Sequence, residues 1–274
     1  MLTPEQLIDL REQEERTLME RRIAGARSFD ALALAEASLA DISLPLFGAY
    51  RQSVVAPDIV AANHRLIEEQ LASLRFFDNR MGAPTVAGIL LFGKNPRYFL
   101  PGAYIQFLRL PGNELTELPI DQAEIAGDLL AVLREADLRI KTNIATGLKR
   151  VDILRERQTP DYPEGAIREF LLNAIMHRDY QSHTPARFYW YADHIEIQSP
   201  GGLYGEVTAE TLTIASSYRN PILAEAMKSL GYVNRFGYGI QRAQRLLEMN
   251  GNPPPEFTIS DRYFRVVIRR GNAM

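Results

Sequence analysis

The apolar period changes several times along the chain, and this constrains the fold more than any other feature. Residues 57–76 carry Ile59, Leu66, Ile67, Leu71 and Leu74 near helical spacing behind Pro57-Asp58, which predicts a helix. Two short runs, Thr85 to Phe92 and Ala103 to Leu110, read instead as strands of a β-hairpin region. Gly93-Lys94-Asn95-Pro96 punctuates the join, and Pro111-Gly112-Asn113 ends the second run. A boundary is placed there, with residues 1–112 as a helical linker plus β-hairpin region and residues 113–274 as a second domain. Residues 4–24 read as a charged helical lead-in, with Thr3 as N-cap and Pro4 in the first turn.

Residues 121–143 read as one long helix with Ile125, Leu129, Leu130, Leu133 and Leu138 on a broad face. A strand is expected from Thr146 to Arg157. Asp161-Tyr162-Pro163-Glu164 then opens a helix over 163–178, with Glu164 suited to the positive end of the dipole. Arg187 to Tyr191 and His194 to Gln198 read as a hairpin turning at Ala192-Asp193. A Gly- and Ser-rich stretch follows over 199–220. Helices are expected from Pro221 to about Leu230 and over 238–249, the latter stopped by Asn250-Gly251-Asn252. Phe257 to Ile259 and Tyr263 to Ile268 close the chain as a strand pair. This order implies an α+β sandwich, one sheet covered on one face by helices.

Composition removes several classes of function. Cysteine is absent, which excludes disulfides, a thiol nucleophile, an iron–sulfur cluster and a thiolate zinc site, and fits a cytoplasmic protein. No window approaches eighteen apolar residues, so no membrane-spanning helix is expected, and no secretory signal is visible. The net charge is −3, from 31 basic and 34 acidic residues, whereas a dedicated nucleic-acid binder is expected to be basic. Neither a P-loop nor a helicase motif set is found.

Four groups of residues could carry chemistry. Glu169, Asn173 and His177 stand at i, i+4 and i+8. Each step of four drifts by only about 40° and climbs about 6 Å, so the three side chains share one helix face. A carboxylate can orient and deprotonate water, a carboxamide oxygen suits Mg²⁺, and an imidazole can reach a phosphate. On spacing alone, a solvated polar face is the simpler reading. Ser199-Pro200-Gly201-Gly202-Leu203 follows a strand, where glycines allow close approach of a ligand or make an ordinary turn. Arg235-Phe236-Gly237-Tyr238-Gly239-Ile240 opens a helix, and free N–H groups there suit an anion. In Ser217-Tyr218-Arg219-Asn220-Pro221, Arg219 suits bidentate phosphate binding and Asn220 suits an N-cap. A metal site built on His177, Asp179 and His183 lacks an evident fourth ligand.

Together these motifs resemble a divergent ATP-binding domain found in RecG-like proteins and transcriptional regulators, itself similar to the GHKL superfamily of gyrase B, MutL and histidine kinases. The resemblance covers about residues 160–270, and the segment from Pro84 to Asn95-Pro96 resembles what precedes that domain in the family. It implies a GHKL-like (Bergerat) α/β sandwich with a mixed sheet. In longer relatives a Schlafen-type AlbA-like DNA-binding domain comes first, and residues 1–30 resemble the linker that follows it. The chain is therefore expected to be a fragment or shortened form, meeting DNA only through that missing domain.

The resemblance also implies roles. Glu169 matches the water-activating carboxylate, Asn173 the Mg²⁺ ligand and His177 the third position of the same box, near phosphate. Gly201 and Gly202 match the first glycine box, and Gly237 and Gly239 the second. Arg219 joins this set as a phosphate contact, and residues 203–220 match the nucleotide lid. Where the superfamily places an Asp that accepts from the adenine amino group, this chain has Ser199, which is neutral and shorter. Two functions stay open. One is an ATP- and Mg²⁺-binding regulatory module with slow hydrolysis and no helicase activity. The other is a degenerate scaffold for homodimerisation or partner binding.

Overall fold

The computed structural model describes residues 28–150, 155–214, 217–233 and 238–271. The lead-in expected over 4–24 lies outside them. Two single 3₁₀ turns, Phe29–Ala31 and Leu39–Asp41, precede helix α1 (Leu44–Val54). The single helix expected over 57–76 is two, α2 (Pro57–Ala62) and α3 (Ile67–Ser73).

The first strand expected, Thr85 to Phe92, is instead helix α4 (Val86–Phe92), which follows two short paired strands, β1 (Phe77–Asp78) and β2 (Ala83–Pro84). Thr85 starts this helix, its hydroxyl accepting from the Gly88 N–H at 3.2 Å. All seven helical residues are buried, so no polar face exists to reveal the period. Gly88 is required here, because a Cβ would lie 2.2 Å from the Phe76 carbonyl oxygen. Burying each large side chain of α4 is worth about 1.5–3 kcal/mol, which outweighs any local strand preference. After α5 (Pro96–Phe99), the second expected strand is present as β3 (Ile105–Arg109).

The long helix expected over 121–143 divides into strand β4 (Asp121–Ile125) and helix α6 (Leu129–Asn143). Gly127 has φ +126°, and Asp128 caps α6 by accepting from the Ala131 N–H at 3.0 Å. The strand expected from Thr146 to Arg157 is an antiparallel pair, β5 (Thr146–Arg150) and β6 (Glu156–Pro160). The remaining elements fall close to expectation. They are α7 (Glu164–Met176), β7 (Ala186–Trp190), β8 (His194–Pro200), α8 (Pro221–Ser229), α9 (Gly239–Asn250), β9 (Glu256–Ile259) and β10 (Tyr263–Arg269).

Six strands form a mixed sheet in the order β4-β3-β7-β8-β10-β9. The β3–β7 pair is parallel and the other pairs are antiparallel. Ile195, Ile197 and Ser199 alternate toward the helices, and α7 packs on β7 and β8 with α6 and α9 beside it. One apolar cluster runs from Ala31 to Ile268, joining Phe47, Phe76 and Phe92 to Phe107, Phe188 and Trp190. β3, which ends before residue 112, lies inside the same sheet as the strands after it, so the two parts expected to meet at 112–113 share sheet and core. No helix among the described residues is long and apolar enough to cross a membrane.

Candidate functional site

Helix α7 forms one wall of a cavity between the sheet, the segment after β8 and the start of α9. Glu169, Asn173 and His177 all line it, so their stripe is not a solvated face. Glu169 is 8% exposed. Its Oε1 accepts from Arg168 Nη1 at 3.3 Å and lies 3.6 Å from Arg242 Nη1. Burial pushes this carboxyl above the usual glutamate range, and the two arginines pull against that shift. A carboxylate moved in this direction is a better proton acceptor near neutral pH.

The Nδ2 of Asn173 is buried and has no hydrogen-bond partner among the described residues. An amide left in that state costs about 1–3 kcal/mol, so a ligand that satisfies it is favoured. His177 ends α7 and stacks on Tyr218 with centroids 5.5 Å apart. Burial, with Arg219 nearby, holds its imidazole down to about 4. The ring is therefore neutral at pH 7, and any phosphate contact from it is a neutral N–H.

Ser199 sits at the floor, 4% exposed. Its hydroxyl donates to the Ala174 carbonyl at 2.6 Å, which ties β8 to α7 and leaves only the oxygen lone pairs for a ligand. Gly201 and Gly202 both line the cavity. Gly201 has φ +95°, a conformation that excludes most side chains. Gly202 is needed for the protein's own packing, since a Cβ there would lie 2.4 Å from the Ser260 carbonyl oxygen. Gly239 begins α9, and a Cβ on it would meet Glu169 Oε2 at 3.0 Å. Gly237 lies outside the described residues.

Arg219 is placed differently from a simple phosphate clamp. Nε donates to the His177 carbonyl at 3.2 Å, Nη2 donates to the Gly202 carbonyl at 3.1 Å, and the guanidinium lies 4.8 Å from the Tyr204 ring centroid. It ties the end of α7 to the glycine turn, and it does not line the cavity. Asn220 makes no side-chain cap on α8. Its Nδ2 donates to the Met176 and Arg178 carbonyls, both at 2.8 Å. The cap comes from Asp30, as described below.

The segment expected as a lid contributes Tyr204, Val207, Leu212, Ser217 and Tyr218 to the cavity. Leu172, Met176 and Phe264 complete an apolar surface that no motif had singled out. Their signal in the sequence was only core-like periodicity. Arg168 and Arg242 were missed as well, because exposed helical arginines carry no distinguishing pattern. No group of three or more His, Asp or Glu side chains among the described residues is placed to hold a metal, so the set His177, Asp179 and His183 does not form one.

Residues 184–268 match the family model described as "Putative ATP-dependent DNA helicase recG C-terminal". The match runs from before β7 to within β10. It takes in Ser199, Gly201, Gly202, Arg219 and Gly239 but not the α7 stripe. It supports a RecG-like ATPase-type domain in this part of the chain. Among solved structures, the chain is similar to the DIP2311 protein from Corynebacterium diphtheriae, with a TM-score of 0.67 and 21% identity. That likeness covers 90% of this chain and 48% of the other, so the chain spans about half the length of that relative. It shows a shared fold. No curated protein matches the chain.

Proposed function

We propose that the cavity binds ATP with Mg²⁺ as a regulatory module, in the manner of a divergent GHKL-type domain, with slow hydrolysis at most. The observation that carries this reading is the buried, unpartnered Nδ2 of Asn173, a donor that suits a phosphate oxygen, flanked on one helix face by Glu169 and His177. The match of residues 184–268 to an ATP-dependent family supports it from the opposite wall.

The donor set fits the ligand. Apolar lining from Leu172, Met176 and Phe264 suits a base, and Ser199, which lines the same cavity, offers an acceptor. Asn173 would hold Mg²⁺ through its carboxamide oxygen, as expected for a cation that keeps most of its other ligands from water and phosphate. When bound, Mg²⁺ supplies neutralisation of phosphate charge. Neutral His177 donates without adding charge. Glu169 keeps Oε2 outside both arginine contacts, and this oxygen orients a water and takes its proton. Closure of residues 203–220 would report occupancy to a partner through a shift in population. The helicase activity in the matched family's description is not carried to this chain.

The decisive test is equilibrium titration with a fluorescent adenine nucleotide, with Mg²⁺ and with chelator. Saturable binding that weakens with chelator and with Asn173→Ala supports the reading. Binding indifferent to both would refute it.

One observation favours a second reading, a non-catalytic scaffold for dimerisation or partner binding. Ser199 spends its proton on Ala174, and Glu169 is held by two arginines, so both groups serve the fold without a ligand. A dimer whose stability and assembly ignore nucleotide would favour it.

A further inference from the structure

The two arginines on Glu169 are not equivalent. Arg168 Nη1 reaches Glu169 Oε1 at 3.3 Å, while its Nη2 donates to the Tyr232 carbonyl at 2.7 Å. It is anchored at both ends of its guanidinium. Arg242 lies 3.6 Å from the same oxygen as an ion pair, has a side chain 56% exposed, and makes no side-chain hydrogen bond among the described residues. It stands in the first turn of α9, three residues after Gly239, whose position adjoins the Glu169 carboxylate. Gly239 and Ile240 of that first turn line the cavity, the turn contains no acidic residue and no side-chain cap, and Arg242 reaches the cavity's edge through Glu169.

We propose that Arg242 is a triphosphate-responsive residue, paired with Glu169 in the nucleotide-free protein and transferred to the terminal phosphate of a bound nucleoside triphosphate. This rests on the nucleotide reading of the cavity and adds to it a rule for telling triphosphate from diphosphate. The exchange costs little. Arg242 gives up one long, solvent-screened contact, and Glu169 stays held by Arg168. The gain is a charge-assisted bond to a phosphate at a helix N-terminus, where anion binding is already favoured. A diphosphate offers no terminal group there, so Arg242 stays on Glu169. Release by the triphosphate also removes one cation from Glu169 at the moment the carboxylate is needed as a proton acceptor.

The test compares a non-hydrolysable ATP analogue with ADP, each with Mg²⁺, on the full chain. Dissociation constants are measured for wild type, Arg242→Gln, Arg242→Lys and Arg168→Gln. A lost charge-assisted bond is worth about tenfold or more in affinity. Arg242→Gln should weaken the triphosphate analogue by about that factor and change ADP by less than about twofold. Arg242→Lys should recover part of the preference, and Arg168→Gln should leave the triphosphate-to-diphosphate ratio unchanged. Arg242 is exposed, so its variants should unfold at the wild-type temperature. An equal effect of Arg242→Gln on both nucleotides, or no effect on either, overturns this proposal while leaving the nucleotide site intact. A wild-type chain that binds neither nucleotide overturns the site and this proposal together.

Discussion

Asp30 Oδ2 accepts from the Ile222 N–H at 2.7 Å, across 192 positions of sequence, and from the Leu223 N–H at 3.1 Å. The carboxylate is fully buried and is steadied by the Ser28 hydroxyl at 2.6 Å. It caps α8 in place of Asn220, whose side chain is occupied at the end of α7. The segment beginning at residue 28 is therefore fastened to the helix that directly follows the expected lid. Asp30→Ala removes the cap and strands two N–H groups. It should cost about 1–3 kcal/mol, read as a lower urea midpoint with an unchanged slope. A midpoint equal to wild type would show that the cap carries no stability.

His177 gives the fold a pH dependence of definite sign. Its folded value is about 4, against an unfolded value of about 6.5. Between these, the unfolded chain binds a proton that the folded chain refuses, so this contribution is complete above about pH 6.5 and is lost as pH falls toward 4. Asp30, Asp161 and Glu169 are raised by burial and act with the opposite sign in the acid range. The clean readout is thus the difference between wild type and His177→Gln across pH 7 to 4. Wild type should lose on the order of 2 kcal/mol more than the variant over that range. Parallel curves would contradict the buried neutral imidazole.

Ser199 should read the base. With its proton fixed on Ala174, the oxygen can only accept, so it favours an exocyclic amino group over a keto oxygen. ATP should bind more tightly than ITP. Ser199→Ala should shrink that preference by about five- to tenfold, the worth of one hydrogen bond. Equal binding of the two nucleotides by wild type would remove Ser199 from base recognition.

The glycines at the cavity should separate into two kinds. Gly202→Ala presses a Cβ against backbone, the Ser260 carbonyl at 2.4 Å, and should destabilise the fold by about 1–3 kcal/mol. Gly239→Ala meets a side chain, Glu169 Oε2 at 3.0 Å, which can yield. It should leave the unfolding temperature near wild type and weaken nucleotide binding by displacing the carboxylate. Unfolding scans paired with binding titrations of the two variants distinguish these outcomes.

What the sequence reveals follows from where the signals are local. The hairpin β7–β8, helices α7, α8 and α9 and the pair β9–β10 were legible because alternation, Pro at helix starts and Gly251 at a helix end mark them directly. The α7 stripe could be read from its spacing, since residues four apart must share a face. Helix α4 was misread because a segment buried on all sides has no period to detect. Strand β4 was absorbed into the helix after it, because Ile125 happens to extend the helical pattern across Gly127-Asp128. The ties of Arg219 to the His177 and Gly202 carbonyls could not be read, because those partners come together only in the fold. The Asp30 cap was invisible for the same reason.

Thermal unfolding with and without ATP and Mg²⁺, on wild type and Asn173→Ala, tests the central claim most directly. Ligand at 100 times its dissociation constant should stabilise the folded chain by about 2.7 kcal/mol. The wild-type midpoint should rise with Mg²⁺ and nucleotide together, and the Asn173→Ala midpoint should stay in place. An unshifted wild type at millimolar nucleotide, or an equal shift in the variant, would contradict a nucleotide site built on the α7 stripe.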